Sequence, residues 1–258
     1  MKKTACAALL CAFAASLCSC SFSGGGASEA PAETVQVTDE TRVFSTDVDD
    51  YVYPEKKVSK LYKGSFQITG EEGIDGKSPS RMPQLNMDTR DASEINDDIH
   101  SKYDAVFKSL EAAGDSNPSP RTDYQAYLND NILSLVIETR SVDTPNSGFN
   151  VYNINVETGQ KATADDIIAM SSADRENAEK LLSAEISKKY DSLNSLPDNM
   201  KSAGGEAKRK SLAGDNISNA VYYFNGERKL TAAYKYYWVA GAEICGAVSA
   251  LDAEKTRG

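Results

Sequence analysis

Four of the five cysteines, Cys6, Cys11, Cys18 and Cys20, lie within the first twenty residues, and beyond them Cys245 stands alone. Those four lie in or at the end of a leader-like segment, so in this chain of 258 residues only Cys245 remains in the folded part; no internal disulfide framework is expected, and the fold must rest on buried apolar surface. The length suits one large or two small domains, and a hydrophobic share of 40% supplies enough core for either. That share is too high for a disordered chain and too low for a membrane bundle. Cys245 sits in an apolar stretch and reads as a small buried hydrophobe.

The cysteine-rich start has its own logic. Lys2 and Lys3 are followed by an uncharged run from Thr4 to Leu17. Such a run is short of the ~20 residues a spanning helix needs, but it suits the apolar part of a secretory signal. It ends in Leu17-Cys18-Ser19-Cys20, which resembles a bacterial lipobox. The resemblance implies a signal peptide over residues 1–19, with Cys20 becoming the lipidated first residue of the mature chain. Its thiol is the group that takes the diacylglycerol. Residues 20–47 are small, polar and acidic, with Gly24-Gly25-Gly26 and Pro31, and read as a flexible tether.

Charge narrows the function classes. The chain has 28 basic and 38 acidic residues; loss of Lys2 and Lys3 with the leader leaves 26 basic, a net charge of −12. A nucleic-acid binder needs the opposite sign. The tether to a membrane must then come from lipid, because basic residues facing anionic headgroups are lacking.

Periodicity predicts α+β architecture, a mostly antiparallel sheet with two main helices packed on it. A strand is expected over Val58–Thr69 and a loop over Gly70–Ser80. A helix is expected over Ala92–Ala113, with Ile95, Ile99, Tyr103, Val106, Phe107 and Leu110 on one arc, Asp91 and Glu94 as a capping box, and Gly114 as the stop. Strands follow at Asp123–Leu128, Ile132–Arg140 and Phe149–Val156, closed by a turn in which Gly159 takes positive φ. A short helix over Asp165–Met170 precedes a longer one over Ala173–Leu193. Pro197–Asp215 reads as a polar loop carrying one helical turn. Val221–Phe224 and Arg228–Trp238 flank Asn225-Gly226, which suits a type I′ turn, and Val239–Leu251 is the last strand. Residues 48–130 are expected to form a strand–helix subdomain and residues 131–258 a β-rich one.

Chemistry-bearing motifs are sparse. His100, the only histidine, lies at the margin of the first helix's apolar arc and reads as a boundary residue. Asp49-Asp50, Asp97-Asp98 and Asp165-Asp166 are adjacent pairs, which cannot share a helix or strand face and so cannot act as an acid–base couple; Asp165-Asp166 suits a helix start. No metal-ligand, phosphate-loop or nucleophile-elbow spacing occurs, so no catalytic residue, metal or cofactor is expected. The aromatic concentration at Tyr234–Trp238 is different. Alternation puts Tyr234, Tyr236 and Trp238 inward and Tyr237 outward, leaving Tyr237, with Tyr222 or Tyr223 across the hairpin, as ligand-binding candidates.

Three stretches carry a wider resemblance: Met82-Pro83-Gln84-Leu85 with Glu94-Ile95-Asn96; Ile132–Ile137 with Val151–Asn155, Glu157-Thr158-Gly159-Gln160 and Asp165-Asp166-Ile167; and Tyr222–Gly226 through Val239-Ala240-Gly241. Their order resembles the paired extracytoplasmic domains of unknown function in lysozyme-sensing anti-sigma-factor ectodomains and in the non-catalytic part of a peptidoglycan deacetylase. Relatives' Gly-Gly-Ala-His-like loop is replaced here by Asp143–Gly148, and neither sigma-factor control nor deacetylation is expected to transfer. The resemblance implies a lone, non-catalytic envelope module that binds or senses a cell-wall glycan or a basic protein such as a lysozyme. It would be exported and anchored on the outer side of the cytoplasmic membrane or in the outer membrane. An alternative is an envelope hydrolase using two carboxylates distant in sequence.

Overall fold

Every side chain from Ile132 to Ile137 is buried, so this strand has no solvent face. That observation sets the architecture. In the computed structural model, which describes residues 45–58, 79–113, 120–141, 147–191, 198–237 and 244–252, three antiparallel strands form the central sheet. They are β3 (Arg121–Asn129), β4 (Ile132–Arg140) and β5 (Ser147–Asn155), in the order β3-β4-β5. Leu133, Leu135 and Ile137 face α1 (Arg90–Ala112), while Val136 on the opposite face meets Tyr223 and Ala233 of another sheet. That second sheet is β6 (Val221–Phe224), β7 (Leu230–Tyr237) and β8 (Ile244–Ala250), again antiparallel. Its far face, with Tyr222, Ala232, Tyr234 and Tyr236, packs on α2 (Ala164–Met170), α3 (Arg175–Asp191), α4 (Asp198–Ser211) and α5 (Gly214–Ser218). The layers run helix, sheet, sheet, helices. A hairpin of β1 (Val52–Val58) and β2 (Ser80–Leu85) completes the core around α1.

The fold is α+β with antiparallel sheets, as expected, but the strands are divided among three small sheets and five helices are present among the described residues. The expected division at residue 130 falls in the β3–β4 turn. Nine residue pairs, from Arg121 opposite Arg140 to Asn129 opposite Ile132, join the strands on either side of it. Residues 43–258 accordingly form one compact unit. Among the described residues no helix is long and apolar enough to cross a membrane.

Local differences have local causes. The first helix is capped by Thr89, whose Oγ1 accepts from the Ala92 amide; Asp91 instead accepts from the Lys161 amide, and Glu94 pairs with Arg90 and Lys161. The expected polar loop after Pro197 contains the fourteen-residue α4, whose buried positions over residues 201–211 are the small Gly204, Ala207 and Ser211 in place of an apolar stripe. The Asn225-Gly226 turn is a longer loop in which Arg228, at φ 58°, takes the left-handed conformation and Asn225 Oδ1 accepts from the amides of Glu227 and Lys229. Strand β1 carries Pro54 and a register shift between Pro54 and Lys56, features confined to sheet edges and bulges. The expected strand over Val58–Thr69 lies outside the described residues apart from Val58, which ends β1. Gly114 is also outside them.

Candidate functional site

Two buried polar groups shape the rim where the second sheet meets α4 and α5. Tyr190 on α3 stacks on Tyr236, with centroids 4.9 Å apart, and its hydroxyl hydrogen-bonds the Ala207 carbonyl at 3.2 Å, Ser211 Oγ at 2.7 Å and the Tyr237 carbonyl. Ser211 Oγ in turn accepts from the Tyr237 amide at 3.0 Å. Asn216 Nδ2 donates to the carbonyls of Ser211 and Lys235, at 2.6 and 2.9 Å. These bonds clamp the end of α4 and the start of α5 to β7. They leave the side chains of Lys235 and Tyr237 directed to the surface, exposed and half-buried respectively.

Beside this clamp lies a half-open cleft of about 670 Å³, formed where α4 and α5 meet β5, β6, β7 and β8. Its walls mix three chemistries. Phe149, Val151, Val221, Tyr237 and Ile244 give apolar and aromatic area; Arg209, Lys210 and Lys235 give positive charge; Asn219 and Asp215 complete the polar rim. Lys210 Nζ stands 5.8 Å from the Tyr237 ring centroid, within cation–π range. Hydrogen bonding by Arg209 holds the Glu206 carboxyl below its ordinary range, and the same contact raises the guanidinium. Asp215 is the one carboxylate among the described lining residues. A two-carboxylate hydrolase would need a partner for it within about 5–10 Å.

The aromatic candidates separate cleanly. Tyr237 lines the cleft. Tyr222 is fully buried against the helices, pairs across to Ala232, and its hydroxyl has no hydrogen-bond partner among the described residues. Burial pushes its phenol up to about 12. Tyr223, 5% exposed, points the other way and stacks on Tyr127 between the two sheets, with centroids 6.2 Å apart. Neither offers surface to a ligand, because both faces of this sheet are covered at these two positions. Cys20 and the lipobox residues Leu17, Cys18 and Ser19 lie outside the described residues, as does Trp238.

Cys245 is a buried thiol. His100 projects from α1 toward β1, with Nε2 3.2 Å from Glu55 and Nδ1 3.2 Å from Asp104, which also pairs with Lys56. Asp165 and Asp166 do open a helix: Thr163 and Asp166 form the reciprocal capping box of α2. Among the described residues no group of three or more His, Cys, Asp or Glu side chains is arranged to hold a metal ion. The basic contribution of Arg209, Lys210 and Lys235 to one cleft is what sequence reading missed. Lys208-Arg209-Lys210 is visible as a run, but its meeting with Lys235 depends on the packing of α4 against β7. Neither the family models nor the curated proteins searched contain a match to this chain.

Proposed function

We propose that this protein is a lipid-anchored, non-catalytic module of the bacterial cell envelope that binds a wall-derived glycan in the cleft beside Tyr237. Cys20 would carry the lipid and residues 20–47 would hold the domain away from the bilayer. The resemblance to extracytoplasmic sensing domains, together with the lipobox-like Leu17–Cys20, supports a location outside the cytoplasm. The observation that carries the reading is the composition of the cleft. Apolar and aromatic side chains beside amide and charged groups match the alternating C–H and hydroxyl surfaces of a sugar, and Tyr supplies rigid area at small entropic cost.

Two measurements test it. Labelling with a palmitate analogue should mark the wild-type chain and not Cys20→Ala; equal labelling of both would remove the anchor. Titration of the chain with soluble muropeptides should shift amide resonances of Phe149, Lys235 and Tyr237. Shifts elsewhere, or binding of lysozyme alone, would displace the glycan from the cleft.

A further inference from the structure

Among the described residues, the large hydrophobic side chains left exposed are Tyr53, Met170, Val221 and Ile244. Two of the four, Val221 at 40% and Ile244 at 51%, sit on the cleft. Exposed apolar area is therefore gathered where the cations are. The charges there do not cancel. Arg209 and Lys210 both reach Glu206, at 2.8 and 3.7 Å, so a single carboxylate serves two cations. Asp215 offsets a second positive charge. Lys235 is exposed on β7 and has no ion-pair partner among the described residues. A local positive excess on a chain of net charge −10 is a selective feature, since it favours an anion where the average charge of the chain disfavours one.

Resting on the reading of this cleft as a glycan site, we propose that its ligand is acidic: a pyranose carrying a carboxylate. Tyr237 and Ile244, directly opposite one another across β7 and β8, meet the apolar face of the ring. Lys235 pairs with the carboxylate, as the cation that gives up no existing partner to do so. A neutral sugar would use the same apolar wall and leave Lys235 solvated, so the carboxylate sets the preference.

The test is titration of the full chain with N-acetylmuramic acid and with N-acetylglucosamine, which lacks the lactyl carboxylate, followed by amide shifts and their dissociation constants. A charge-assisted hydrogen bond predicts roughly tenfold tighter binding of the acidic sugar, weakening as salt is raised. Lys235→Gln should bring the two sugars within about twofold, whereas Lys235→Arg and the remote Lys57→Gln should keep the preference. Glucuronic acid, with its carboxylate on the ring, should behave as the other acidic sugar does. Equal binding of acidic and neutral sugars at Tyr237 by the wild type would overturn the proposed acidity while sparing the glycan site. Absence of cleft shifts with any of the three sugars would overturn both.

Discussion

At Gly159 the chain turns from β5 toward α2 with φ +69°, in close contact with Thr89 at the start of α1. A Cβ placed there would stand 2.2 Å from Thr89 Cγ2. Thr89 cannot simply rotate away, because its Oγ1 accepts from the Ala92 amide and donates to the Gly159 carbonyl at 3.0 Å. Gly159→Ala should therefore destabilise by about 2–3 kcal/mol, combining left-handed strain with a disturbed helix cap. Urea unfolding measures it. Thr89→Ser keeps the capping oxygen and removes the clashing methyl, so the double variant should recover part of the loss. Tyr222 predicts the reverse sign. Its hydroxyl is buried without a partner among the described residues, and Tyr222→Phe should raise stability by about 1 kcal/mol, because a desolvated, unpaired donor is removed. A loss in that measurement would mean that a buried group binds the hydroxyl.

Between elements, the Tyr190 phenol ties α3 to both α4 and β7. Tyr190→Phe keeps the stacking on Tyr236 but strips the hydroxyl from Ser211 and from the carbonyls of Ala207 and Tyr237. Buried partners left unsatisfied typically cost about 1–3 kcal/mol. The loss should appear as faster hydrogen exchange at the Tyr237 amide and along α4, while α1 keeps its protection; equal acceleration in α1 would contradict a local joint. The same joint forms one wall of the cleft, so weaker sugar binding should accompany it. Amphipathic elements were readable beforehand. Ile95, Ile99, Tyr103, Phe107 and Leu110 bury one face of α1, and Ala178, Leu182, Ile186 and Tyr190 one face of α3. Helix α4 was not, since small residues can line a buried face without a hydrophobic stripe.

Across the whole molecule, pH dependence follows from which groups the fold perturbs. Lys56, with help from His100, holds the Asp104 carboxyl below its ordinary range; burial pushes Asp98 up, but Lys102 and Tyr152 together bring it down; Thr163 lowers Asp166. A carboxyl depressed in the folded state adds stability above its unfolded value near ~4, and that stability is lost as pH falls through the folded value. The urea midpoint should stay level from about pH 7 to 5 and drop below about pH 4. Phenols act with opposite sign. Burial raises Tyr222 and Tyr234 to about 12, so their contribution is intact below the unfolded value near ~10 and lost as pH rises toward 12. An acid limb without an alkaline one would contradict the burial of these tyrosines. From its sequence alone the chain determined that it builds α+β structure, where β4 and α1 lie, and that Gly159 must turn left-handed. These follow from local periodicity and steric limits, which neighbours in sequence encode. Tertiary structure alone decided that Tyr222 and Tyr223, on opposite faces, are both buried: alternation marks two faces of a strand but cannot say how many layers cover them. It also decided the cleft, because Phe149, Lys210, Lys235 and Ile244 meet only when the second sheet is clamped between the central sheet and α4.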